Sequence, residues 1–132
     1  TSLFNKSVFE NISYGNKNVK KNEVLDMIKK YNIKNYLGLK NGIDENVGVN
    51  GANLSLGMQK ITILLRGIFK NNDTIKIFDE PLAGLDSETR GKVIKMIENE
   101  CKNKTIIIIT HDKDILPYCT KEINIKELKK TQ

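Results

Sequence analysis

The 132 residues are enough for one domain with a modest core, and the 22 basic against 16 acidic side chains leave a formal net charge of +6. The lysines are scattered rather than gathered into a stripe, so the excess reads as the bias of a Lys-, Asn- and Ile-rich chain and not as a nucleic-acid footprint. No apolar run approaches the roughly 18–20 residues of a membrane span, and Cys101 and Cys119 are too isolated for a disulfide framework or a zinc site, which fits a reducing compartment. The chain opens on Thr1 rather than Met, so a piece of something longer is expected.

Ser7 and Glu10 have capping-box spacing, which predicts a short helix from Val8 to about Tyr14, stopped by Gly15. Asn22 can cap a second helix, with Val24, Leu25 and Ile28 at helical spacing, to about Tyr31. A further helical turn is expected over Asn35 to Leu39. Asn41 to Asn53, with Gly42, Gly48 and Gly51, reads as irregular loop. Ile61, Leu64, Leu65 and Ile68 recur at threes and fours and predict a long helix from Leu56 to Phe69. Ile75, Ile77 and Phe78 predict a short buried strand. Helix resumes near Ser87, with Val93, Ile94 and Ile97 as its buried stripe, to about Cys101. Thr105 to Thr110, TIIIIT, reads as a strand buried on both faces and hence central and parallel. A helical turn over Lys113 to Leu116 and a weak last strand, Glu122 to Ile125, complete an α/β pattern behind an all-helical first half.

The stretch Ile75 to Asp86, IKIFDEPLAGLD, organises the rest. An apolar strand delivers Asp79 and Glu80 to its carboxyl end, where open α/β sheets hold their ligands. Pro81 ends the strand because it cannot donate to a ladder. Adjacent carboxylates in that position suit phosphoryl chemistry: one can hold Mg²⁺, usually through water, and the next can orient or deprotonate an attacking water. A strand that simply ends in a solvated acidic turn is the competing reading.

Four stretches in fixed order resemble the nucleotide-binding domain of ABC transporters. Leu54-Ser-Leu-Gly-Met58 is similar to the signature motif, Ile75 to Glu80 to the Walker B strand with its catalytic glutamate, Ala83-Gly-Leu-Asp86 to the D-loop, and Ile109-Thr-His111-Asp112 to the H-loop. Leu3 to Ile12 resembles the segment after the Q-loop of exporter-type members, and Gly48 to Gly51 sits where exporters carry the X-loop. The resemblance implies part of a P-loop NTPase (RecA-like) core with parallel strands over residues 71–132, beside the ABC helical subdomain over residues 1–70. It implies ATP and Mg²⁺ as cofactors. Glu80 and His111 would be catalytic, Asp79 would hold the metal through water, and Leu54, Ser55, Gly57, Met58 and Asp86 would be nucleotide-facing or at the dimer interface. Ser55 can equally be a plain N-cap, and Asp86 can merely cap the helix that follows it. The implied partners are a second nucleotide-binding domain, head to tail, and a membrane domain. The implied place is the cytoplasmic face of a membrane, with no nucleic acid. The alternatives are a soluble ABC ATPase acting on nucleic acid and a degenerate half-site that does not hydrolyse ATP.

The sequence departs from that pattern in places. The P-loop consensus GxxxxGK[ST] does not occur in it, so the polypeptide by itself is expected neither to bind nor to hydrolyse ATP appreciably. Leu56 and Met58 replace the usual Gly and Gln of the signature, and Val49 stands where exporters often carry a glutamate. Lys76 interrupts the Walker B strand and is expected on a sheet face that no helix covers. The family's strand order implies that Ile75 to Phe78 pairs in parallel with Thr105 to Ile109. It also implies that Glu122 to Ile125 does not ladder onto Ile106 to Ile109, which leaves an open edge and a poorly soluble, marginally stable polypeptide.

Overall fold

The computed structural model describes residues 2–71 and 73–128. Helix α1 spans Val8–Ile12 and α2 Lys21–Lys30; 3₁₀ turns follow at Asn35–Gly38, Gly42–Asp44 and Val49–Gly51. The long helix α3 spans Leu56–Phe69, strand β1 Ile75–Asp79, helix α4 Ser87–Glu100 and strand β2 Thr105–Ile109. A 3₁₀ segment, Lys113–Tyr118, and a four-residue helix α5, Ile125–Leu128, follow.

Local chemistry sets the ends of these elements. Ser7 and Glu10 form the expected capping box of α1, but the helix stops at Ile12, three residues before Gly15. Helix α2 starts after Lys20 rather than Asn22, because the Glu23 carboxylate accepts from the Lys20 backbone N–H at 2.7 Å. Helix α3 keeps its predicted bounds: Ser55 caps it, and Ile61, Leu64 and Leu65 are essentially inaccessible.

Helix α3 is also the anchor of the N-terminal segment. Arg66 donates to the Asn11 carbonyl and side-chain oxygen, each at 2.8 Å, and to the Ser2 carbonyl at 3.1 Å. Its guanidinium lies over the Phe4 and Tyr14 rings, 5.2 and 5.7 Å from their centroids. Asn11, fully buried, bonds back to both backbone groups of Phe4. A buried amide satisfied in this way fixes the direction of the chain leading into α1. One apolar cluster then runs from Leu3 through α3 and α4 to Ile115.

Strands β1 and β2 pair in parallel, Ile75 opposite Thr105 through Asp79 opposite Ile109, as expected. The double burial expected of TIIIIT is not found. Residues 105, 107 and 109 are exposed, and only Ile106 and Ile108 turn toward the core. The reason is that β1 is the only strand beside β2 among the described residues, and the helices cover one face of the pair. Nor is Glu122 to Ile125 a strand. Asn124 instead opens the turn of α5, its side chain accepting from Lys126 N–H at 3.1 Å, a local bond that competes with strand formation.

Lys76 reverses another expectation. It points inward with Phe78 and is only 4% exposed, while Ile75 and Ile77 face out. Its Nζ donates to the carbonyls of Gly67 (2.6 Å) and Lys70 (2.9 Å) and to Asp73 Oδ1 (3.0 Å). These carbonyls belong to the last turn of α3, which has no intrahelical donors left, so all three ammonium protons are satisfied. Phe78 packs beside it where Gly67 lacks a Cβ; a Cβ there would stand 2.9 Å from the ring.

Candidate functional site

Asp79 and Glu80 leave the end of β1 in different states. The Asp79 side chain is exposed. The Glu80 backbone N–H continues the ladder onto the Ile109 carbonyl at 2.8 Å, and its φ of +47° places a non-glycine residue in the left-handed region just before Pro81. That geometry costs about 1 kcal/mol or more. It bends the carboxylate toward the end of β2. There Oε2 accepts from the Thr110 hydroxyl and Oε1 from the His111 N–H, each at 3.2 Å. The His111 imidazole is fully exposed, with Nε2 3.8 Å from Glu80 Oε1. The fold therefore brings two of the predicted site residues together at one end of the sheet, with Asp79 as the preceding residue. A carboxylate oxygen keeps further lone pairs after these bonds and can still take a proton.

The loop carrying His111 is itself braced. The Thr110 hydroxyl accepts from Asp112 N–H at 2.9 Å, and Asp112 Oδ1 accepts from Asp114 N–H at 3.0 Å. Arg90 of α4 pairs with Asp112 and, at 3.1 Å, with Asp114.

The signature residues form a second cluster at the N-terminus of α3. Ser55 Oγ accepts from Met58 N–H at 3.3 Å, so the N-cap role is realised. Leu54, Gly57 and Met58 are buried, while Ser55 and Leu56 are exposed. The helix end lies on the turn before α4, where a Cβ on Gly57 would stand 3.0 Å from the Gly84 carbonyl. Gly84 has φ +75°, and a Cβ there would fall 2.8 Å from Leu56 Cγ. The variant Gly84→Ala is expected to lose about 1–3 kcal/mol of stability from the strained φ and the overlap together. Denaturant unfolding measures it. Asp86 caps α4, accepting from Thr89 N–H at 2.8 Å and from its hydroxyl at 3.1 Å. The Thr89 backbone and side-chain donors lower the Asp86 carboxyl below its ordinary value. No hydrogen bond among the described residues joins the signature cluster to Glu80 or His111, so two half-surfaces are present rather than one closed site.

The donor set tests the implied cofactors. No group of three or more His, Cys, Asp and Glu side chains able to hold a metal occurs among the described residues. One exposed carboxylate, Asp79, fits a hydrated Mg²⁺ held mainly by water and phosphate, which is how that ion usually binds. A helix N-terminus with an exposed capping hydroxyl, at Ser55, suits a phosphate. One shallow hollow lies between the end of α2 and α4, beside Tyr31 and Lys92, and a second lies at the start of α4, lined by Asp86, Thr89 and Lys34.

No family model matches the chain. An ATP-dependent lipid A-core flippase of Chromobacterium violaceum is 34% identical to it over 110 residues, 83% of this chain and 19% of that protein. Its namesake in Francisella tularensis is 35% identical over 111 residues, 83% of this chain and 18% of that protein. The chain is a homologue of ABC transporters. ABC transporter B family member 4 of Dictyostelium discoideum extends the relation at 32% identity, covering 83% of this chain and 14% of that protein. The solved structure of a bacterial Atm1-family ABC exporter with ATP bound superposes with a TM-score of 0.76 at 28% identity, over 88% of this chain and 20% of that one. This ABC homologue thus spans about a fifth of the length of the lipid A-core flippases it matches. No helix among its described residues is long and apolar enough to cross a membrane.

Sequence reasoning missed Arg90, which braces the loop that carries His111. The two aspartates on either side of Lys113, Asp112 and Asp114, are a carboxylate pair that calls for a cation from another element.

Proposed function

We propose that this segment is the ATP-hydrolysing part of an ABC exporter's nucleotide-binding domain, with residues 71–132 contributing to a RecA-like core and residues 1–70 to the helical subdomain. The observation that carries the reading is the Glu80 carboxylate, turned by a left-handed backbone onto the Thr110 hydroxyl and the His111 N–H, with the imidazole 3.8 Å away.

In this reading Glu80 orients the attacking water and takes its proton. His111, whose imidazole is exposed, hydrogen-bonds the terminal phosphate and the same water. Asp79 holds the metal through water. Mg²⁺, when bound, supplies positive charge against the phosphate oxygens. Ser55 and the backbone N–H groups near Gly57 face a nucleotide held by a second such domain, set head to tail, and Asp86 lies along that contact, while the Met58 N–H stays on the Ser55 cap. Leu54 packs beneath them. The names of the relatives, ATP-dependent flippases and an ABC exporter with ATP bound, support ATP and transport across a membrane. The membrane domain and the cytoplasmic setting follow from the same kinship, with the helices of residues 1–70 as the part that meets the membrane domain.

The test is metal dependence. Within a complete nucleotide-binding domain that carries this segment, Asp79→Asn is expected to raise the Mg²⁺ concentration for half-maximal ATP hydrolysis about tenfold or more. An unchanged Mg²⁺ titration removes Asp79 from the metal, and no hydrolysis in the unmutated domain defeats the reading as a whole.

A further inference from the structure

We infer that Arg90 is a positioning residue for the Glu80–His111 pair, holding the His111 loop against α4 through Asp112 and Asp114. The inference rests on the ATPase reading above and adds a residue that neither the motifs nor the resemblance assigns.

The chain of contacts is continuous. Arg90 Nη2 bonds Asp112 Oδ2 and reaches Asp114 Oδ2 at 3.1 Å. Asp112 lies next to His111, and its backbone N–H donates to the Thr110 hydroxyl at 2.9 Å. That hydroxyl in turn donates to Glu80 Oε2 at 3.2 Å. Since the hydroxyl has one proton, the Asp112 N–H on its lone pair leaves that proton for Glu80. Arg90 therefore acts through three hydrogen bonds, by way of Asp112 and Thr110, and touches no reacting group. The Asp112 side chain is 16% exposed and that of Arg90 27%, so the pair is shielded enough for its charges to count. The Nε of Arg90 is buried without a partner, which leaves Nη2 as the anchor.

The position of Arg90 on α4 gives the brace a second attachment. Its backbone N–H closes the first turn of the helix onto the Asp86 carbonyl at 2.9 Å, and Asp86 is the N-cap. The turn that meets the signature helix and the loop that carries His111 are thus joined by a single helical turn. If Asp86 moves when a second domain docks, Arg90 moves with it and displaces the loop at Asp112.

The test uses an ABC protein whose nucleotide-binding domain carries this segment. Arg90→Gln is expected to lower kcat about tenfold or more, as a small misplacement of catalytic groups does, and to change KM for ATP less than about twofold. Asp112→Asn should do the same, and the double variant should be no slower than the worse single one, since both cut one path. Arg90→Lys keeps the charge without the forked geometry and should recover part of the rate. An unchanged kcat overturns the inference. So does a fall that is additive in the double variant and tracks a lowered melting temperature. Glu80→Gln in the same protein separates the two levels: if it retains full turnover the ATPase reading fails, and if it is inactive while Arg90→Gln is fully active only the role of Arg90 falls.

Discussion

Glu80→Gln in a complete nucleotide-binding domain is expected to reduce ATP turnover about 100- to 10,000-fold, the range spanned by loss of a positioned acid or base. Nucleotide binding should stay close to that of the unmutated protein. The amide oxygen of Gln can take the place of Oε1 and accept from His111 N–H, while its NH2 takes the place of Oε2 and can donate to the Thr110 hydroxyl oxygen, so the left-handed turn before Pro81 keeps its partners. What the variant loses is the ability to take a proton. The ATP-bound dimer should therefore accumulate, and it should be visible as a larger species in size exclusion with ATP and Mg²⁺. Hydrolysis at the unmutated rate would show that Glu80 is held where it is for structural reasons alone.

The sequence made the long helix and the two strands legible from local signals, whereas the parallel pairing of IKIF with TIIII came from the strand order that the resemblance implies. Ser55 gives a cap, Ile61, Leu64, Leu65 and Ile68 give a period, and the β-branched runs give strands. What it concealed was which face of each strand turns inward. In IKIFD the eye assigns Ile75 and Ile77 to the core, yet Lys76 and Phe78 are the buried pair. The carbonyls that Lys76 satisfies lie at the end of the preceding helix, six and nine residues earlier, and a period of two carries no information about them. TIIIIT misled for a related reason. Four isoleucines look buried on both sides, but burial depends on neighbours, and Ile107 and Ile109 stay about half exposed on the outer face. The final strand failed because a strand needs a partner ladder, whereas Asn124 offers the backbone a bond of its own. At the site, the strand readings put Asp79 and Glu80 at the end of β1 and His111 just after β2, where the structure has them, and spacing alone could not have shown that Asp112 and Thr110 tie His111 to Glu80.

The variant Lys76→Met tests how much the buried ammonium contributes, and it is expected to destabilise the protein by about 2–3 kcal/mol. Methionine matches the stem in length and keeps the apolar contacts along β1. It leaves the carbonyls of Gly67 and Lys70 without the donor that now reaches them at 2.6 and 2.9 Å, and buried polar groups left unpaired cost about 1–3 kcal/mol each. Two such losses are tempered by water reaching the partly exposed Asp73 side. An opposing effect exists: desolvating an ammonium is itself expensive, and replacing a buried charge by an apolar group is sometimes neutral or stabilising. The geometry decides against it here, because the substitution removes only one partner and the helix-end carbonyls stay behind. The pH dependence gives a second handle. Burial works to raise the Asp73 carboxyl, but the Lys76 ammonium, joined by a backbone donor and the Lys104 charge, outweighs it, and the group lies below its ordinary value. A carboxyl depressed in the folded state contributes stability that is fully present above its unfolded value and is lost as pH falls through the depressed one. In Lys76→Met that acid-side loss should shrink, since the ammonium that lowers Asp73 is gone. Denaturant unfolding at neutral pH and at about pH 3–4 measures both effects together. A variant as stable as the unmutated protein, with the same slope on the acid side, would mean that the ammonium fills space and holds nothing.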